Sequence, residues 1–283
     1  MSDDPDAAGT DEDPEPAVNI SGGVDGGGLA AEFDPATADT RAERVIDRLG
    51  ERYWQKQYGG RDAFTCLVRT ILSQNTSDVA SQPAHDALID RYDGPDVDLA
   101  RSLAAADRDE LAETISAAGL YNQKSAMILG AAAWVLERFG SAAAFDAFVS
   151  REPSGVVRKT LLDVHGVGPK TADCVLLFAG GRNGVFPVDT HVHRVARRMG
   201  IAPPDADHEG VREAVERDIP GEKCGFGHTA MIQFGREYCT ARDPACLEGP
   251  EACPLADRCD RVGVYPETGE VVDPAAAPEA DGG

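Results

Sequence analysis

From position 41 to 164 the apolar residues return every three or four positions and nowhere sustain an alternation, which confines this part of the chain to helices. The spacing predicts helices over 41–57, 62–73, 77–92, 99–105, 108–118, 122–139, 145–150 and 154–164. Their ends carry suitable chemistry. Gly119, Gly140, Gly166 and Gly200 stand where helices should stop, and Ser77 and Asp107 stand where a side-chain oxygen can cap the first free amides. No segment repeats at an interval of about 20–50 residues, so a solenoid is excluded. The fold class is all-α.

With 283 residues, 42% of them hydrophobic, the chain can bury a substantial core. Its net charge of -22 argues at first against a nucleic-acid partner, because phosphate binding calls for Lys and Arg. The distribution of charge removes that objection. Residues 1–40 hold eleven acids and residues 266–283 hold five, with no Lys or Arg in either stretch, so the tails carry sixteen of the 22 excess charges. The tails, 1–39 and 263–283, are acid, Gly, Pro and Ala with little to bury, and are expected to be disordered. Between them, residues 151–200 hold eight basic residues against four acids, and phosphate contacts are expected there. The acid-rich composition also suits a high-salt cytoplasm. No apolar run reaches the roughly 18 residues of a membrane span, and the acidic start lacks the basic and apolar parts of a signal peptide. A soluble, cytoplasmic, nucleoid-associated protein is expected.

Seven cysteines divide unevenly. Cys66, Cys174 and Cys224 are scattered through apolar or Gly-rich surroundings and read as inert core residues, whereas Cys239, Cys246, Cys253 and Cys259 crowd into twenty-one positions. In a cytoplasmic chain such a cluster points to a metal rather than to disulfides. The spacing Cys239-x6-Cys246-x6-Cys253-x5-Cys259, with no histidine nearby, suits a 4Fe-4S cluster or a tetrahedral zinc.

The run from Leu161 to Ala172 reads as a helix, a Gly166-Val167-Gly168 turn and a second helix opened by Pro169. The amides of such a turn can hold a phosphate without reading sequence, or the corner can simply pack. Nineteen residues after Lys170 comes Val188-Asp189-Thr190-His191. This combination resembles the endonuclease III family of DNA glycosylases, the helix-hairpin-helix, iron-sulfur type. Three further stretches share the likeness: Ser73-Gln74-Asn75-Thr76-Ser77-Asp78, Gly119-Leu120-Tyr121-Asn122-Gln123-Lys124, and the four cysteines. The resemblance covers roughly residues 40–262. One departure is visible: the family usually places two residues between its second and third cysteines, and here there are six, 247–252.

The resemblance implies a two-lobed fold, with a six-helix lobe over 56–183 that ends in the hairpin and an iron-sulfur lobe made of 40–55 and 184–262. It implies a base-excision-repair glycosylase with lyase activity, acting as a monomer on damaged double-stranded DNA. Oxidised pyrimidines are the expected substrates, and the strand is cut 3′ of the abasic site by β-elimination. Lys170 takes the nucleophile's position, which requires a neutral amine; the start of the second hairpin helix and partial burial both disfavour the ammonium. By position alone Lys170 could instead be a surface lysine. Asp189 takes the place of the carboxylate that opposes positive charge on the sugar, and is also a good N-cap. Gln74 and Leu120 match the positions that fill the stack when a base is swung out, and Asp78 matches a residue of the base pocket. His165, Gly166, Val167, Gly168, Thr171 and His191 are the expected DNA contacts. Cys239, Cys246, Cys253 and Cys259 take the positions of the family's 4Fe-4S ligands. Two alternatives stand beside this reading. Mismatch-specific relatives typically lack the lysine, and a non-catalytic DNA-binding iron-sulfur protein would not need both Lys170 and Asp189.

Overall fold

The computed structural model describes residues 18–19, 32–54, 62–76 and 78–278. Twelve α-helices make up nearly all regular structure among them: α1 (Arg41–Gly50), α2 (Ala63–Ser73), α3 (Asp78–Tyr92), α4 (Leu99–Ala104), α5 (Arg108–Thr114), α6 (Tyr121–Phe139), α7 (Ala142–Arg151), α8 (Ser154–Leu161), α9 (Pro169–Phe178), α10 (Thr190–Arg198), α11 (His208–Asp218) and α12 (Gly221–Glu237). Strand is confined to two-residue pairs, Val18–Asn19 with Tyr53–Trp54 and Val264–Tyr265 with Glu270–Val271. The all-α expectation holds. No single helix among the described residues is long and apolar enough to cross a membrane.

Local chemistry explains the boundaries. Asp107 caps α5 by accepting from Asp109 and Glu110 amides, Ser141 caps α7, and Gly140 ends α6 at φ 83°. Three predicted helices fall short of the pattern by three residues or more. The 41–57 helix stops at Gly50, the 154–164 helix at Leu161, and the 108–118 helix passes into a 3-10 turn at Ser116–Ala118. Ser77 lies outside the described residues.

Two apolar cores organise these helices. The first, around Phe64, Leu67, Ile71, Ile128, Phe145 and Val175, gathers α2 through α9, so this lobe has eight helices rather than six. These eight are the helices that the apolar spacing and the hairpin predict between 56 and 183, and the figure of six came only from the resemblance. The second core, around Ile46, Phe186, Val195, Val215, Phe226 and Phe234, joins α1 to α10, α11 and α12. Helix α1 thus packs far from its sequence neighbours. Lys223 of α12 fixes it there, its buried ammonium 2.8 Å from Glu43 and 2.7 Å from Asp47. Glycine permits the close approach of α12: a Cβ at Gly227 would lie 2.8 Å from the Phe186 ring. Arg158 of α8 joins the lobes, bonding to Asp173 of α9 and to Glu209 of α11.

The tails need correction where they are described. Residues 32–39 pack onto the second core, with the Phe33 ring 4.3 Å from that of Phe226 and Ala38 buried. Residues 263–278 fold back as a small hairpin and a 3-10 turn, with Pro274 buried and Asp273 paired to Arg197. A single aromatic ring and a single carboxylate anchor these stretches, and neither moves the average composition that marked them as disordered. The rest of both tails, 1–17, 20–31 and 279–283, lies outside the described residues.

Candidate functional site

The hairpin connects α8 to α9 through residues 162–168. Gly166 is obligatory in that turn, because its φ is +83° and a Cβ there would lie 2.3 Å from Met127 Cε. His165 and Gly166 are exposed at its tip. Gly168 precedes α9 without a side-chain cap, and Pro169 occupies the first helical position, so the positive end of α9 opens at the turn. Val167 does not share this surface. Its side chain lies in the first core and its amide donates to Val164 O at 3.0 Å. Thr171 is buried and accepts through Oγ1 from Gln74 Nε2 at 3.2 Å.

Lys170 and Asp189 come from opposite lobes. Lys170 is half-buried in the first turn of α9. Asp189 caps α10, with Oδ1 accepting from the His191 and Val192 amides at 2.8 Å each. Two buried groups feel both of them. Burial pushes the Cys174 thiol up, with Lys170 opposing the shift and Asp189 adding to it. Burial likewise drives the His228 imidazole down to about 4, with Asp189 opposing and Lys170 reinforcing. Lys170 and Asp189 therefore both lie within electrostatic reach of Cys174 of α9 and His228 of α12. Spacing along the chain marks neither of these two buried residues. Cys174 looks like an inert core thiol, and nothing near His228 in the sequence sets it apart.

His191 sits one residue into α10 with Nδ1 3.1 Å from an Arg194 nitrogen. Arginine only donates, so Nδ1 accepts and the neutral ring carries its proton on Nε2. Burial keeps this ring neutral by lowering its pKa, although Asp189 pulls the other way. Gln74 ends α2 and donates to Gly166 O at 3.0 Å, which ties it to the hairpin. Leu120 is 55% exposed and holds a left-handed backbone (φ 48°) before α6, a conformation that costs a non-glycine residue energy. Asp78 opens α3, and its side chain lies outside the described residues.

The basic segment 151–200 is mostly spent internally, contrary to the expectation of phosphate contacts along it. Arg158 pairs with carboxylates, and Arg182 donates to Val149, Ser150 and Glu152 carbonyls. Arg194 donates to Gly235 O and Cys239 O, Arg197 to Pro204 O and Asp273, and Arg198 to Thr240 O and Ala241 O. Net charge counts such groups even though they face inward.

Two of these arginines, Arg194 and Arg198, hold the start of the cysteine loop against α10. Cys239, Cys246, Cys253 and Cys259 line one small cavity, walled by Met199, Phe234 and Val264. Among the described residues no three side chains converge as a single bound ion would require; the four thiols instead ring a space. The donors suit thiolate: the Arg198 guanidinium lies 3.6 Å from Cys239 Sγ, and the Arg261 amide donates to Cys259 Sγ at 3.3 Å. Arg261 takes a left-handed backbone (φ 55°) to do so. Burial pushes the Cys259 thiol up to about 12, so binding metal there releases protons. The six residues between Cys246 and Cys253 form two 3-10 turns around Gly249, whose φ of 134° lets the chain bulge outward.

Such a hairpin, facing an Asp-capped helix across a lobe boundary and followed by a thiol-lined loop, defines a helix-hairpin-helix repair protein. Residues 68–220 match the model of the HhH-GPD superfamily base excision DNA repair protein, and residues 239–259 match that of the iron-sulfur binding domain of endonuclease III. The chain belongs to the HhH-GPD superfamily. It is 31% identical to the Endonuclease III of Thermotoga maritima, over 70% of this chain and 83% of that one. It is 32% identical to the Endonuclease III of Treponema pallidum, over 74% and 86%. A trapped Endonuclease III-DNA covalent intermediate superposes with a TM-score of 0.59 at 28% identity, over 72% of this chain and 86% of that one. A thermostable thymine-DNA glycosylase, 22% identical with a TM-score of 0.61, shares the fold over 78% of this chain and 96% of its own. Within the superfamily this is an endonuclease III-like base excision repair DNA glycosylase that carries a 4Fe-4S cluster.

Proposed function

We propose that the protein excises oxidised pyrimidines from double-stranded DNA and then cuts the strand 3′ of the abasic site, acting as a monomer. The observation that supports this most is that Lys170 and Asp189, one from each lobe, both act electrostatically on the buried Cys174 and His228. A damaged nucleotide must first leave the stack to bring its sugar into that cleft. Gln74, bonded to the hairpin at Gly166, and Leu120 fill the space it vacates. The first-turn amides of α9, with His165 and Gly166, hold the backbone phosphate, and the Nε2 proton of His191 is available to another.

Attack by the neutral Lys170 amine on C1′ forms a carbon–nitrogen bond as the glycosidic bond breaks, and the base leaves with that electron pair. Asp189, ionised, offsets the positive charge that builds on the sugar and accepts the proton Lys170 sheds. Ring opening gives a Schiff base at C1′. Loss of a C2′ proton then expels the 3′ phosphate, and water frees Lys170. The four cysteines would hold the cluster, which supplies structural support for the loop leaving α12 and takes no part in these steps.

Borohydride reduction in the presence of a duplex containing thymine glycol tests the reading. Wild-type protein should form a covalent adduct, and Lys170→Ala should form none. An adduct that persists in Lys170→Ala, or none with wild type, would sink the Schiff-base mechanism. Asp189→Asn keeps the helix cap in part and should slow excision by about 10²–10⁴-fold while duplex binding survives.

A further inference from the structure

We propose that Lys124 is a positioning residue that couples the Gln74 loop to the Leu120 loop, so that the two DNA-filling side chains move as one rigid unit. This rests on the glycosylase reading above. Lys124 lies one turn into α6 and is 2% exposed. Its ammonium donates to Leu72 O at 2.7 Å, Thr76 Oγ1 at 2.6 Å and Ala118 O at 2.9 Å. An ammonium has three donors and no acceptor, and here three uncharged oxygens receive them. Burial lowers the pKa of this group, which makes the environment an expensive one for a cation.

The acceptors show what the ammonium joins. Leu72 is in the last turn of α2, two residues before Gln74, so its carbonyl belongs to the negative end of that helix. Ala118 ends the 3-10 turn two residues before Leu120. Thr76 lies beyond Gln74, accepts from Lys124, and donates its own hydroxyl toward Ala118 O at 2.5 Å and Gln74 O at 3.2 Å. Each loop also carries a non-glycine residue in the left-handed region, Asn75 at φ 52° and Leu120 at φ 48°. Strained apexes relax unless surrounding structure holds them. A glycine terminator could satisfy the carbonyls of α2 alone. It could not bind the second loop, and a lysine reaching back from α6 does both.

The consequence is specific to duplex DNA. A base removed from the stack leaves a gap of fixed size with an unpaired partner opposite, and two fillers must keep their spacing to occupy it. A single strand presents no such gap. Loosening the coupling should therefore impair duplex substrates and spare a single-stranded abasic oligonucleotide.

The test uses the full-length holoenzyme with Lys124→Met, which removes the ammonium, Thr76→Val, which removes one acceptor and leaves the core intact, and Thr76→Ser, which restores the hydroxyl. Excision of thymine glycol from duplex is measured under single turnover, borohydride trapping is measured on the single strand, and 2-aminopurine placed opposite the lesion reports insertion. Lys124→Met and Thr76→Val should lose on the order of 10²-fold on duplex, with a weakened 2-aminopurine signal and wild-type trapping on the single strand. Thr76→Ser should recover both duplex readouts. Equal losses on both substrates, or no loss on duplex, would overturn the proposal. Absence of trapping by wild-type protein would instead refute the Lys170 mechanism, and the 2-aminopurine signal, which needs insertion but no chemistry, would still decide the role of Lys124.

Discussion

His228 shows how a residue remote in sequence can shape the site. Its Nδ1–H donates to Pro187 O at 2.7 Å, two residues before Asp189, and its ring meets Phe178 and Phe186 at 6.3 Å each. The imidazole thus holds the irregular segment that leads into Asp189. With a folded pKa lowered to about 4, the ring binds fewer protons folded than unfolded between that value and the ordinary value of about 6.5. Its contribution is therefore complete above about 6.5 and is lost as pH falls toward about 4. Thermal unfolding followed from pH 7.5 to 4.5 should show His228→Asn, which can still donate to Pro187 O, losing less stability than wild type. Equal acid sensitivity in the two proteins would remove His228 as the titrating group. No pattern around position 228 announces this residue, whereas Lys170 and Asp189 were legible because each sits inside a motif with its own helical context.

At the scale of elements, α8 and α9 are held by the ion pair between Arg158 and Asp173, the latter 2% exposed. Burial raises the pKa of Asp173, and the Arg158 guanidinium opposes that shift. Arg158→Met should leave a buried carboxyl without its partner and destabilise the protein by about 3–5 kcal/mol in denaturant unfolding. Adding Asp173→Asn should recover much of the loss, and an Arg158→Met protein as stable as wild type would show that the pair does not hold the hairpin. The helices themselves were readable from period and caps. Their ends were less so: the 41–57 pattern stops at Gly50, where the chain enters a short strand pairing that periodicity cannot report.

For the whole molecule, the described C-terminal stretch matters more than its composition implies. Asp273 reaches Arg197, itself 5% exposed, and the Val272 amide bonds to Gly263 O at 2.8 Å. Ending the chain after Val262 should cost about 1–3 kcal/mol and several degrees of melting temperature, because Arg197 loses its carboxylate and Val264 and Pro274 no longer cover the lobe. An unchanged melting temperature would restore these residues to the status of a dispensable tail. The sequence by itself determined the helical class, the hairpin, the positions of Lys170 and Asp189, and the cysteine set, because each depends on residues close together along the chain. Only the tertiary structure decided that five arginines of the basic segment face inward, that Cys174 and His228 lie within electrostatic reach of Lys170 and Asp189, and that Lys124 is buried against three oxygens. Those facts depend on contacts between distant segments, where burial and hydrogen-bond geometry, rather than spacing, choose the partner.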